Sequence, residues 1–375
     1  MQYIIATLTN KGFKMPKLVR QWLFVSTMLF SIQNTSATPI TKGLTLWLDA
    51  NDTTTLFTDL DCKKPAGRID YVSCWKDKSD LKGMVTLIPK SSRAKRQFDT
   101  SNKNTVVKFN HSGFISDTLG QITENSSYTK FILFKIDNDK GDEKKRGAAK
   151  HNLIGSEPYE TTLWANNGRL HSEHHSDNYL DSPTKLNTRK YYIASTRYSK
   201  PEATPIPNVL NLNGKQEASN YNKSDHGLAF TTLGTVGIES DKKTFGSYFY
   251  LDGKIAEALI YDRALSDNEI DEVEQYLSKK WHIKLKQNII FQMPNGPKTV
   301  GKYIQLHAVA SSGLAITLKS TTPLTCEITD NGDYVNLIKS GICTLKANQK
   351  GDKTYPKAKV KTQTFEIRNA NPIIN

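Results

Sequence analysis

The stretch from Tyr248 to Trp281, YFYLDGKIAEALIYDRALSDNEIDEVEQYLSKKW, constrains this chain most, because its apolar period changes from two to 3.6 within one run. Asp252-Gly253 stands between apolar runs, a short-range hairpin signal whose turn positions take positive φ. Beyond it Ile255, Glu257, Leu259 and Tyr261 alternate with Ala256, Ala258 and Ile260. Mostly large residues on one face and small ones on the other mark a strand covered on both sides. Ser266 and Glu269 have the spacing of a capping box, with Leu265 and Ile270 placed as a hydrophobic staple. Ile270, Val273, Leu277 and Trp281 share one helical face. Lys279 and Lys280 fall in the last turns, where cations suit the helix dipole. The spacing predicts two strands, a turn and one capped helix packed on a mostly β body.

Several pieces of the chain together carry a family resemblance. They are Gly253-Lys254-Ile255-Ala256-Glu257, Ile260-Tyr261-Asp262-Arg263-Ala264-Leu265-Ser266, Glu269, Tyr276-Leu277 and Lys280-Trp281. This composite resembles the C-terminal end of bacterial LamG-like (concanavalin A-like lectin/glucanase) jelly-roll domains. Leu46-Trp47-Leu48-Asp49-Ala50 and Trp75-Lys76-Asp77-Lys78-Ser79 resemble the entry of the same family, with Asp80 where that pattern has Gly. The resemblance implies a jelly-roll sandwich, a fold that hosts lectins, adhesive modules and hydrolases alike. It also implies calcium at the sandwich rim as a cofactor, without naming ligands. Asp49, Asp77 and Asp252 are acids at strand ends and read as turn formers.

The 375 residues suggest two domains behind a leader. Lys11, Lys14, Lys17 and Arg20 precede the apolar run Trp22–Ile32, and Thr35-Ser36-Ala37 offers small residues for cleavage. Residues 1–37 therefore read as a signal peptide, starting at Met1 or Met15. The run is too short to span a membrane, so the mature chain is expected to be exported and to carry no spanning segment. Net charge is +14, which suits acidic partners such as anionic polysaccharide or a cell surface, yet also fits a plain Lys-rich surface. Lysines are scattered and no nucleic-acid module appears, so no nucleic-acid partner is expected. Four cysteines form two local pairs without CxxC spacing, which in an exported chain reads as disulfides Cys62/Cys74 and Cys326/Cys343.

From 38 to 286 many short strands with turn signals precede the one late helix, predicting an all-β jelly-roll sandwich. Within it, Thr161–His175 carries Asn167-Gly168 at its centre. A two-residue turn there pairs Trp164 with His171 and Thr162 with Glu173. Thr162, Trp164, Arg169, His171 and Glu173 then share one face, and Leu163, Ala165, Leu170 and Ser172 the core face. An aromatic plate beside His, Glu and Arg suits a sugar, so Trp164, Arg169, His171, Glu173 and His175 are the candidate ligand-binding residues. A slip of one residue would instead put Trp164 in the core. His171, Glu173, His175 and Asp177 also alternate, a spacing open to a metal. Asp137–Arg146 begins like a calcium loop but departs from the EF-hand pattern, and reads as a solvated charged loop. Glu269, Asp271 and Glu274 copy the E-x-D-x-x-E spacing of laminarinase-type glycosidases, but on a helix Glu269 and Asp271 point apart and cannot flank one bond.

From 287 to 375 short alternating strands predict a second, small sandwich. Ala310–Leu314, Ser320, Thr322-Pro323, Cys326, Gly341, Cys343-Thr344, Ala347, Gln349, Gly351 and Tyr355 resemble bacterial surface Ig-like repeats. That resemblance implies a spacer or adhesive unit, with Cys326–Cys343 bridging neighbouring strands. No Ser-His-Asp set, phosphate loop or zinc-protease helix is present. The expectation is a secreted or surface-bound, non-enzymatic, lectin-like protein engaging carbohydrate or a cell surface. The alternatives are a polysaccharide hydrolase or lyase on the same sandwich, or a purely structural module.

Overall fold

The computed structural model describes residues 38–89, 91–101, 103–138, 150–157, 161–175, 178–200, 206–223, 227–235, 250–292, 295–296, 298–329 and 331–369. The leader and most of the calcium-like loop lie outside them. Two nine-stranded antiparallel sheets make up the larger part. In chain order the strands begin with β1 (Leu44–Asp49), β2 (Leu56–Phe57), β3 (Tyr71–Val72), β4 (Cys74–Lys76), β5 (Met84–Leu87) and β6 (Ala94–Asp99). Then come β7 (Asn104–Asn110), β8 (Phe114–Ser116), β9 (Tyr128–Ile136), β10 (Lys150–Glu157), β11 (Thr161–Asn166) and β12 (Arg169–His174). They end with β13 (Tyr179–Lys185), β14 (Tyr192–Tyr198), β15 (Asn208–Leu212), β16 (Lys215–Asn220), β17 (Phe230–Leu233) and β18 (Asp252–Tyr261). The first sheet runs β16-β15-β14-β9-β18-β7-β6-β3, with β1 also on β18; the second runs β13-β12-β11-β10-β17-β8-β5-β4-β2. Their inner faces enclose the main core, which includes Leu46, Trp75, Phe109, Phe114, Ile132 and Leu163. This is a jelly-roll β sandwich.

Strand β18 is the axis of the first sheet. It pairs along its whole length with β9 on one side. On the other it pairs with β7 through Asp252–Ile255 and with β1 through Glu257–Tyr261. The expected turn at Asp252-Gly253 is absent, because both residues lie within the strand. Gly253 is there for another reason: a Cβ at that position would stand 2.2 Å from the Lys135 carbonyl oxygen, so only glycine lets the strands close. A bulge between Ile255 and Glu257 also breaks the simple alternation. Ile255 joins Ala258 and Ile260 in the main core, whereas Ala256, Leu259 and Tyr261 face the helix.

Helix α1 (Asp267–Trp281) forms where its caps direct. The Ser266 hydroxyl accepts from the Glu269 amide while the Glu269 carboxylate accepts from the Ser266 amide. Ile270, Val273, Leu277 and Trp281 are buried against the outer face of the first sheet. Beneath the helix lies Glu257, fully buried, its carboxylate accepting from Trp47 Nε1 at 2.7 Å, Tyr276 Oη at 2.6 Å, Lys280 Nζ at 2.7 Å and Trp281 Nε1 at 2.5 Å. Burial pushes this carboxyl up, and Lys280 opposes the shift. Asp49 bridges Lys280 and Lys78, and Asp77 accepts from the Trp47 amide. The scattered motif residues Trp47, Asp49, Asp77, Lys78, Glu257, Tyr276, Lys280 and Trp281 are thus parts of one hydrogen-bonded knot.

After the helix the strands are β19 (Ile289–Phe291), β20 (Tyr303–Gln305), β21 (Ala308–Ala310) and β22 (Thr317–Ser320). They continue with β23 (Cys326–Ile328), β24 (Tyr334–Leu337), β25 (Gly341–Asn348) and β26 (Lys361–Ile367). They form sheets β19-β21, β20-β24-β23 and β22-β25-β26 around a core of their own. The Cys326–Cys343 disulfide, Cα–Cα 5.7 Å, ties β23 to β25. It therefore links two different sheets, not neighbouring strands of one. Tyr355 packs into the helix cluster, and the Leu285 amide donates to the Thr354 carbonyl.

Candidate functional site

The Asn167-Gly168 turn sets the site. Both residues have positive φ, 49° and 68°, as a tight hairpin turn requires. β11 and β12 pair Trp164 with His171 and Thr162 with Glu173. Leu163, Ala165 and Leu170 enter the main core, and the Ser172 hydroxyl bonds Thr196 of the opposite sheet at 2.6 Å. Thr162, Trp164, His171 and Glu173 thus stand on the outer face of the second sheet.

Trp164 is not a free plate. The His171 ring stacks on it with centroids 4.5 Å apart and planes 23° apart, and Lys150 Nζ lies 4.9 Å from its centroid. His171 Nδ1 meets Asp181 at 2.6 Å, which fixes the imidazole. Glu173 is 6% exposed, and the Tyr179 hydroxyl donates to it at 3.1 Å. Burial raises its pKa, against the pull of Tyr179, Lys150 and His175. Arg169 stands at the hairpin end, where its guanidinium donates to the Pro183 carbonyl. His175 has left the strand with φ 69°. The structure therefore groups Trp164, His171 and Glu173 and sets Arg169 and His175 at the margins. Among the described residues no group of three His, Cys, Asp or Glu could hold a metal, and Asp177 lies outside them. Of the acids read as turn formers, Asp49 is held by two lysines and Asp77 by the Trp47 amide.

The neighbouring strands add residues that the sequence did not single out. Asn152 of β10 faces Trp164. Ile154 faces Leu163, which sets Gly155 alongside Thr162, and Gly155 faces Thr232 of β17. Thr162, Asn152 and Thr232 are 2%, 1% and 0% exposed. Yet among the described residues Thr162 Oγ1, Asn152 Oδ1, Trp164 Nε1, Thr232 Oγ1 and Thr235 Oγ1 have no hydrogen-bond partner. The Asn152 amide nitrogen donates to the Thr235 carbonyl, which holds Asn152 and Thr235 together. Buried polar atoms are normally paired, so these five, without a partner among the described residues, leave hydrogen-bonding capacity unmet in adjoining rows. Nothing in the local sequence announces this, since β10 and β17 are some eighty residues apart and each threonine alone reads as strand.

The chain is similar to several solved structures. Domain 4 of a GH43 extracellular arabinanase from Geobacillus stearothermophilus, solved with arabinotriose, shares 15% identity over 63% of this chain and 100% of its own, with a TM-score of 0.41. A Trypanosoma rangeli sialidase shares 12% over 63% of this chain at a TM-score of 0.40, and the match spans 33% of the sialidase. The CBM40 of a Ruminococcus gnavus IT-sialidase, bound to α2,3-sialyllactose, shares 18% over 38% of this chain and 80% of its own, at 0.30. No family model and no curated protein matches. Two of these structures come from glycosidases, so the expectation that the chain is not an enzyme is withdrawn. None of them assigns a role to a residue here.

Proposed function

We propose that this is an exported carbohydrate-binding protein. In this reading residues 1–37 are a signal peptide, 38–286 a LamG-like jelly roll carrying the sugar site, and 287–375 an Ig-like spacer. The site is the outer face of β10, β11, β12 and β17 around Thr162, Trp164, Glu173 and Thr232.

The five unpaired buried atoms carry this proposal. Three are hydroxyls able to donate and accept, one is an indole donor and one an amide acceptor. A sugar presents the same mixture, since every ring hydroxyl both donates and accepts. Leaving a buried polar group unpaired costs about 1–3 kcal/mol, which a bound sugar would relieve. The Glu173 carboxylate and the Trp164–His171 stack close one side of the patch. Two disulfides, Cys62–Cys74 and Cys326–Cys343, fit an oxidising compartment. No helix among the described residues is long and apolar enough to cross a membrane.

The test is a glycan panel against the oxidised mature chain, with calcium and with chelator, scoring bound protein and released sugar in the same wells. The expected result is binding that Trp164→Ala weakens, because the variant removes both the indole donor and the stack. Binding unaffected by Trp164→Ala would move the site elsewhere. Neither binding nor release would overturn the reading in favour of a structural module.

A further inference from the structure

The opposite face of the sandwich carries a second, chemically different feature. On the outer face of the first sheet the register places Tyr71 beside Lys95, Lys95 beside Lys108, Lys108 beside Lys254 and Lys254 beside Lys135. Four lysines thus stand in one cross-strand row. Like charges directly opposite one another destabilise a sheet. Acids answer one end of the row only. Lys254 meets Asp99 at 2.9 Å, and Asp137 lies 3.8 Å from both Lys108 and Lys135.

The other end opens into a groove of about 690 Å³ at the β3 end of the sheet, over β3, β6 and β7, lined by Arg68, Arg93, Lys95, Arg96 and Lys108 with Tyr71 and Phe98. No acidic residue lines it. Arg68, Arg93, Lys95 and Arg96 have no carboxylate within ion-pair distance among the described residues. Arg96 donates one guanidinium nitrogen to the Ala66 carbonyl, but its Nε is buried and unpaired. Tyr71 and Phe98 are 50% and 41% exposed, with Arg93 5.6 Å from the Tyr71 ring centroid and Arg68 5.8 Å from that of Phe98. Cations and half-exposed aromatic rings therefore alternate along the groove.

We propose that this groove binds a linear anionic polysaccharide, separately from the hairpin patch. Guanidinium forks pair with the carboxylate or sulfate groups of such a chain, and Tyr71 and Phe98 offer apolar faces to its pyranose rings. Charge complementarity selects the occupant, since a neutral glycan would leave Lys95 and the arginines without an acidic partner. The disulfides favour an extracellular polymer over an intracellular one.

The experiment measures binding of the mature full chain to heparin, polygalacturonate, dextran and single-stranded DNA, each at low and high salt. Binding to heparin or polygalacturonate, absent for dextran at this site and weakened by salt through screening, is expected. The triple variant Arg68→Gln, Arg93→Gln, Lys95→Gln should weaken that binding about tenfold or more while leaving the unfolding midpoint in place. A control with the same charge change, Lys350→Gln, Lys357→Gln, Lys359→Gln, should keep it. Equal losses in the two triple variants would reduce the effect to bulk charge and overturn the proposal. Tighter binding to DNA than to either anionic polysaccharide at matched salt would overturn the choice of polymer. Because Trp164→Ala leaves the groove intact, it should not change the anionic binding, so this inference and the hairpin reading fail separately.

Discussion

Two buried polar clusters lie on opposite outer faces of the sandwich, and they are built by opposite rules. Under the helix, every oxygen of the Glu257 carboxylate is taken, with four donors from β1 and α1 converging at 2.5–2.7 Å. Across the molecule, the Thr162–Thr232 patch buries hydroxyls and an indole that have no partner among the described residues. Full satisfaction suits a group that holds parts of the fold together, because a buried charge is tolerable only when paired. Missing partners suit a surface that receives them from a ligand, because the cost is recovered on binding. Buried polar groups thus divide into a fully paired knot and the face proposed above to receive a ligand.

The largest effect should come from breaking the knot. Glu257→Ala leaves two indole donors and the Tyr276 hydroxyl without their acceptor and takes from Lys280 one of its two carboxylates, and should cost about 3–5 kcal/mol in urea unfolding, as removal of one partner of a buried pair does. Full stability in that variant would mean that the knot is not structural.

A smaller, pH-dependent effect should come from Glu274 on the same helix. Its Oε1 accepts from the Ser195 hydroxyl at 2.8 Å, and burial raises its pKa to about 7 from 4.5. A carboxyl whose folded pKa is raised contributes stability that is full below 4.5 and is lost as pH rises to about 7. Glu274→Gln stays neutral, so it should match the native chain near the lower value and exceed it at pH ~8 by on the order of 3 kcal/mol. Parallel stability curves over that range would show that Glu274 does not gain its charge at the cost of the fold. The smallest effect is expected at Arg169. Among the described residues its guanidinium donates to the Pro183 carbonyl alone, at the hairpin end, so Arg169→Gln should shift stability by less than about 0.5 kcal/mol and leave sugar binding unchanged.

What could be read from the sequence follows the range of the interactions involved. The helix was legible because its cap and stripe lie within Leu265–Trp281. The hairpin register was legible because Asn167-Gly168 fixes it locally. Asp252-Gly253 looks equally like a turn, yet its glycine answers to a carbonyl on β9, a contact no local pattern carries. The bulge at Ile255 likewise depends on β18 changing partners midway. Trp164 was rightly placed on the outer face, but its stack with His171 closes the ring face that a sugar would need. Asn152, Thr232 and Thr235 were missed because their state depends on strands far apart in sequence.

The central claim is that the unpaired hydroxyls serve a ligand and not the fold. The direct test is the double variant Thr162→Val, Thr232→Val, with unfolding free energy and affinity for a glycan bound by the native chain measured on the same preparation. Replacing unpaired hydroxyls with methyls of the same shape should leave stability unchanged or higher, while affinity falls about tenfold or more. A clear loss of stability with affinity retained would contradict the account, since the threonines would then belong to the fold and the patch to no ligand.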